Sequence, residues 1–280
     1  MSEIAPQNYR VRQVRVFPVP KLQLSLLIGR LSAYALSLIL PLSLLGLWQL
    51  AATKGWIAEQ ILPPPVVVYQ SFLDLAQSGE LLEHLQGSLI RVGLAFGIAA
   101  IFGVALGTLL GSSRRVEAYV APLFEIYAQT PVIAWIPIGL LLFGITEKLA
   151  VALIAIAAVV PVVANTYKGV RYIPSNYLEI GRVYGLTRKQ IIMSIVFPAA
   201  LPSIFNGLRY GLTQAWLTLV AAELVGTEHG IGALIVEARN LFQLDIVLVA
   251  ILTLGIVGFI LDKLFALVER RLLHWQRQGF

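Results

Sequence analysis

VGLAFGIAAIFGVALGTLLGSS, residues 92–113, carries no charged side chain through 22 consecutive positions. A helix rises about 1.5 Å per residue, so roughly 20 residues cross the hydrocarbon core of a bilayer, and this run is long enough to span it. A barrel strand would need only about ten residues and would alternate in polarity, which this run does not. Lipid offers the backbone no hydrogen-bond partners, so the stretch predicts a transmembrane helix. Gly103, Gly107 and Gly111 recur every four residues along it, a spacing suited to close contact with a neighbouring helix.

Other uncharged runs extend over Leu31 to Thr53, Ile126 to Thr146 and Leu149 to Tyr167. A fifth apolar region, Gln190 to Ala222, is interrupted by Pro198, Pro202, Asn206 and Arg209, and its span is placed from Ile204 to Glu223 with Arg209 snorkelling to the interface. A sixth runs from Ile246 to Val268 and crosses Asp262 and Lys263 near its end. The expected fold is therefore an all-α integral membrane protein of about six spans, 31–53, 88–113, 119–146, 148–168, 204–223 and 246–268. With 58% hydrophobic and 13% charged residues, the chain has too little polar surface for an ordinary water-soluble domain. No cysteine is present, which removes disulfides, thiolate metal sites and cysteine nucleophiles.

The charges orient the spans. With both termini in the cytoplasm, segments 1–30, 111–118, 165–209 and 262–280 hold 17 of the 21 Lys and Arg residues. The opposite side has Lys54, Lys148 and Arg239 against eight carboxylates, so the positive-inside rule favours this orientation strongly. It also explains the net charge of +6 without invoking nucleic acid. A secretory signal peptide does not suit the basic N-terminal stretch, because the leading region is long and the apolar run exceeds about 15 residues. The expectation is a cytoplasmic segment 1–30, a retained first span and a cytoplasmic tail 269–280. Outside, Leu62-Pro63-Pro64-Pro65 breaks the chain before an amphipathic segment, Val66 to His84, which is either a surface helix or a contact for an external partner.

Between spans four and five the loop is punctuated like a folded element. After Pro174, Ser175 is placed to cap a short helix through Glu179 and Arg182, and Gly185 to end it in the left-handed conformation. Thr187 and Gln190 have the spacing of a capping box, Ile191, Ile192, Ile195 and Val196 form an apolar stripe, and Pro198 is expected to stop the run. A hairpin over 174–198, tethered by spans at both ends, suits mechanical coupling to a soluble partner; Arg182, Arg188 and Lys189 offer ionic contacts. A connecting loop lying on lipid headgroups is the plainer alternative. A DNA-binding helix-turn-helix is disfavoured by the close membrane tethers.

Glu179-Ile180-Gly181-Arg182-Val183-Tyr184-Gly185, followed after nine residues by Ile195-Val196-Phe197-Pro198, resembles the EAA loop of binding-protein-dependent ABC importer permeases. The spacing is kept; Ile180-Gly181 stand for the paired alanines and Phe197 for a leucine. Ala134-Trp135-Ile136-Pro137-Ile138, Gly230-Ile231-Gly232 and the Leu-Pro-Pro-Pro segment extend the likeness to the nitrate, sulfonate, taurine and bicarbonate branch, closest in appearance to aliphatic sulfonate permeases. The resemblance implies a type I importer permease in a bacterial inner membrane, working as a homodimer with two cytoplasmic ATPase subunits and an external substrate-binding protein. ATP and Mg would be bound by the ATPase, which agrees with the lack of any Gly-Lys dipeptide and hence of a P-loop here. No cofactor, metal or catalytic residue is expected in this chain. The implied coupling residues are Glu179, Gly181, Arg182, Gly185, Leu186, Thr187, Ile195 and Pro198.

Polar groups inside spans are candidates for the translocation path because burying them is unfavourable without a partner. Glu125, Gln129, Thr130, Asn165, Thr213, Gln214 and Thr218 are of this kind, with helix packing as their alternative role. Arg91 and Arg209 are the basic residues near the spans. An ion-gradient transporter or channel is the competing function; it calls for intramembrane carboxylates paired with bases, and Glu125 and the Asp262–Lys263 pair are the nearest approach. A membrane enzyme has little support, since no HExxH occurs and His84, His229 and His274 are scattered.

Overall fold

A computed structural model describes residues 39–58 and 61–274. The expected cytoplasmic segment 1–30, the start of the first span, Glu59 and the tail beyond His274 lie outside the described residues, as do the side chains of Ser175, Leu178 and Arg188. Two compact units divide at Trp56. In the first, the described helix is α1, Ile39–Thr53, which is apolar and exposes Leu40, Leu42 and Leu47.

The described residues of the second unit form helices joined by turns, with no strand among them. In order it comprises α2 (Pro65–Ser78), α3 (Glu80–Ser112), α4 (Arg114–Ala128), a 3-10 turn (Val132–Trp135) leading into α5 (Ile136–Phe143), and α6 (Glu147–Arg171). Then follow α7 (Ser175–Val183), α8 (Arg188–Ile191), a π-turn (Ile192–Val196), α9 (Phe197–Glu223), α10 (Ile231–Asn240) and α11 (Leu244–Leu272). Four helices are long and apolar enough to cross a membrane among the described residues, five if the bent pair α4 and Val132–Phe143 is one span.

The core is α6 held between α3 and α9. On α3 the side facing α6 is small: a Cβ at Gly103 would stand 2.7 Å from Val162 Cγ1, and one at Gly107 2.7 Å from Thr166 Cβ and 2.8 Å from the Val163 carbonyl. The same Val162, fully buried, meets Gly211 of α9 from its other side, where a Cβ would approach Cγ2 to 2.6 Å. Without a hydrophobic drive between helices in lipid, such close contact supplies the dispersion energy that holds them together. The opposite face of α3 leaves Leu94, Ile98, Ile101 and Phe102 exposed.

Three expected elements differ from the observed ones. The span at 119–146 is broken: α4 and Val132–Phe143 meet at 98° around Gln129-Thr130-Pro131. Pro131 has no N–H and disfavours helical geometry at the residue before it, and its own backbone is extended (φ -59, ψ 137). Pro198 does not stop the second hairpin helix, so the helix that carries the fifth span begins well before residue 204 and Lys189–Glu223 is one 35-residue helix. A π-turn absorbs the proline: Phe197 N–H reaches back to the Ile192 carbonyl, widening the ladder just where an N–H is missing. Finally, the amphipathic segment Val66 to His84 is divided at Gly79 (φ 84), so Glu80, Glu83 and His84 open α3, which starts two turns ahead of residue 88.

Replacing Gly107 with Leu is expected to overpack the α3–α6 contact by about 1–3 kcal/mol. A lowered thermal midpoint of the detergent-purified chain, beside little change for Gly93→Leu, whose Cβ would meet open space, checks this.

Candidate functional site

The α7–α8 hairpin is set by local chemistry. Gly185 adopts φ +67, a conformation that costs side-chain-bearing residues about 1–2 kcal/mol. Its N–H donates to the Arg182 carbonyl (2.9 Å) and that of Leu186 to the Gly181 carbonyl (3.0 Å), the paired bonds of a Schellman cap. Thr187 N–H donates to Gln190 Oε1 (2.8 Å) while Gln190 N–H reaches Thr187 Oγ1 (3.4 Å), so the capping box forms. At the other end Pro174, not Ser175, is the cap residue, and the serine begins the helix. Gly181 is buried where a Cβ would stand 2.8 Å from Ile195 Cδ1; that contact closes the hairpin. Glu179, Arg182 and Thr187 are exposed, and so are Val183 (84%) and Tyr184 (79%).

The break in the third span forms one wall of a groove of about 470 Å³. Gln129, Thr130 and Pro131 line it from the break, and Tyr210, Thr213 and Gln214 from α9. Four sequence-selected polar residues thus come together. Thr218 is buried one turn along α9, its hydroxyl 3.5 Å from Gln214 Nε2. Asn165 is apart from the groove, donating to the Pro161 carbonyl of its own helix (2.8 Å), and Glu125 is exposed on α4. Pro198 and Ile195 belong to the hairpin end of the long helix. Trp216 Nε1 donates to the Leu254 carbonyl (3.1 Å), joining α9 to α11.

At the other end of the long helix lies an ion cluster that the residue patterns did not single out. Glu223 is fully buried; its Oε1 accepts from Ser88 Oγ (2.7 Å) and Arg91 Nη1 (2.6 Å), and its Oε2 from the Gly232 N–H (2.7 Å). Arg91, also buried, donates Nη2 to Glu147 Oε1 (2.6 Å) and Nε to Glu147 Oε2. Ser88 Oγ accepts from Ile231 N–H (2.9 Å), and His84 Nδ1 lies 2.9 Å from the Gly230 carbonyl. The Gly230-Ile231-Gly232 turn is therefore bonded to α3 and α9. The turn is buried: a Cβ at Gly230 would stand 2.4 Å from Glu223 Oε1. The available sequence signal was that Arg91, Glu147 and Glu223 each flank an apolar run at the same end.

The pairing of Asp262 with Lys263 is corrected. Asp262 accepts both Nε (2.8 Å) and Nη2 (2.9 Å) of Arg209, while Lys263 Nζ lies 5.1 Å above the Phe259 ring. Adjacent residues of a helix do not face one another, whereas Arg209 on the neighbouring helix does. Both basic residues near the spans are thus matched with carboxylates.

The pattern of the family described as binding-protein-dependent transport system inner membrane component matches residues 99–274. A Bacillus subtilis (strain 168) protein named for aliphatic sulfonates transport, the permease SsuC, is 38% identical over 239 residues, covering 85% of this chain and 87% of its own. The taurine transport system permease protein TauC of Escherichia coli (strain K12) is 34% identical over 237 residues, covering 83% and 86%. In fold, the chain is similar to a chain of the inward-facing MetNI methionine ABC transporter, with a TM-score of 0.60, 18% identity and coverage of 68% and 95%.

Glu223→Ala removes the fully buried partner of Arg91 and leaves the Ser88 hydroxyl and the Gly232 N–H without their acceptor, and is expected to destabilise by about 3–5 kcal/mol. Glu147→Ala, which leaves Glu223 in place and removes a half-exposed partner, should cost less than half of that; thermal unfolding of the two purified variants compares them.

Proposed function

Since this chain belongs to the binding-protein-dependent transport system inner membrane component family, we propose that it forms the membrane pathway of an ATP-driven importer for a small anionic solute, an aliphatic sulfonate first and taurine, nitrate or bicarbonate next. Two copies assemble with two cytoplasmic ATPase subunits, which bind ATP and Mg, and an external binding protein delivers the solute. Both termini lie in the cytoplasm of a cell with the protein in its inner membrane.

The observation that carries this reading is the capped hairpin, continuous with a membrane-crossing helix and exposing Tyr177, Ile180, Val183 and Tyr184. An apolar face of this kind is a docking surface when it is held rigid. Glu179 and Arg182 add ionic contacts beside it, while Gly181, Gly185, Leu186, Thr187, Ile195 and Pro198 fix its shape. Movement of the ATPase reaches the pore only if the docked face interacts differently with its open and closed states. Because α8, the π-turn and α9 are one helix, displacement at Thr187 is carried directly to Gln214 and Glu223.

The groove at the broken span is the proposed path. Irregular backbone at membrane depth occurs where it lines a cavity, and the side-chain amides of Gln129 and Gln214 offer uncharged donors to a sulfonate or carboxylate-like oxygen, beside Thr130 and Thr213, whose hydroxyls donate to the Ile126 and Arg209 carbonyls. Thr218 supports Gln214, with Glu125 and Asn165 further along the same elements. Arg91 and Arg209 are already neutralised by carboxylates, so selection for anions falls to these donors and to the external receptor.

Replacing Gly185 with Leu forces a left-handed side chain, and ATP-dependent uptake in proteoliposomes containing all subunits is expected to drop roughly tenfold with membrane insertion unchanged. Unaltered uptake would remove the hairpin from the coupling path, and solute uptake driven by an ion gradient in the purified chain alone would defeat the importer reading.

A further inference from the structure

Two grooves meet at Arg209 on the face shared by α9 and α11. One, about 450 Å³, runs between the helices over Leu212, Trp216, Leu254, Phe259 and Phe265, with the Arg209–Asp262 pair at its end. The other, about 710 Å³, continues toward the end of α11 and is rimmed by Arg209, Lys263, Arg270 and His274, with Leu267 below and Glu269 as the one carboxylate among its lining residues. Three permanent cations therefore face one carboxylate. Arg209 is spoken for by Asp262, and its Nη1 lies 4.0 Å from Glu269 Oε2. Lys263 and Arg270 carry the excess charge.

The position of the joint matters. Residues 246–261 of α11 are uncharged, about 24 Å of helix, and charges begin at Asp262, so the cationic groove lies where α11 leaves the hydrocarbon. The apolar groove lies alongside the uncharged part. Lys263 Nζ, above the ring of Phe259, stands at the boundary between the two. The apolar groove also has room: Gly255 lines it, and a Cβ there would meet nothing within 4 Å.

We propose that this face binds an anionic phospholipid, with an acyl chain along the α9–α11 groove and the phosphate at Lys263 and Arg270. A hydrated inorganic anion has no use for the apolar half. A zwitterionic headgroup brings its own cation against Lys263 and Arg270, whereas basic pockets at the ends of membrane helices match anionic headgroups. The site depends only on the chain's residence in a membrane and stands apart from the transport reading.

The full chain in mild detergent, mixed with phosphatidylglycerol and phosphatidylcholine and read by native mass spectrometry, tests this. Phosphatidylglycerol is expected to be retained several-fold over phosphatidylcholine, and Lys263→Gln with Arg270→Gln to reduce its retention roughly tenfold. Lys263→Arg with Arg270→Lys should preserve retention, which separates loss of charge from loss of fold. Gly255→Phe, filling the apolar groove without touching the charges, should also release the lipid. Equal retention of the two lipids, or undiminished retention by the Gln pair, overturns the proposal. Displacement by inorganic phosphate overturns it in favour of a free anion. A Gly255→Phe chain that keeps its lipid but loses its oligomeric state overturns it by making the groove a contact between protein chains.

Discussion

Close approach of α6 to helices on both sides is the constraint from which the rest of the second unit follows. Val162 is gripped between Gly103 of α3 and Gly211 of α9, and the pattern repeats where Gly107 meets Thr166 and Gly169 meets Ser203. In lipid, where burial of apolar surface gives helices little reason to associate, such contact depends on missing side chains. Each end of α6 is then fixed by polar groups. Glu147 at its start holds Arg91 of α3, and at its finish Tyr167 donates to Glu117 of α4 (2.6 Å) while Arg171 pairs with the same carboxylate (3.2 Å). Charged bonds at the rims and small residues in the middle divide the task as the bilayer's own polarity does.

What could be read in the sequence was what local chemistry decides. The glycine stripe of α3, the left-handed Gly185 and the Thr187–Gln190 box each depend on residues within about a turn or two of one another, and all three features are present. The EAA-like spacing fixed the family for the same reason, since a cap, a turn and a packing contact at Gly181 and Ile195 need set separations. The prolines were less legible. Pro131 does break its span and Pro198 does not, because the second is rescued by a change of hydrogen-bond register that no residue type announces. The ion cluster joins Arg91 to a carboxylate 132 positions away, and only the packing of α3 against α9 makes them neighbours.

The candidate path and the hairpin are linked through one continuous helix. Gln214 lines the groove on the same helix that begins at the capping box and ends at Glu223, whose carboxylate anchors the Gly230–Gly232 turn. Opposite it the broken span presents a bend with its backbone already released from the α-ladder.

The π-turn between the hairpin and α9 has a consequence of its own. It houses one residue more than an α-helical path of the same height, so the helix on either side of it is out of phase by about 100°. The azimuth at which the hairpin presents Tyr184 is therefore offset from the azimuth at which α9 presents Gln214 to the groove. A lineage that loses a single residue between 192 and 196 would keep both surfaces intact yet point them in different relative directions, so the length of this short stretch, as much as its composition, sets how the two ends of the machine are aimed.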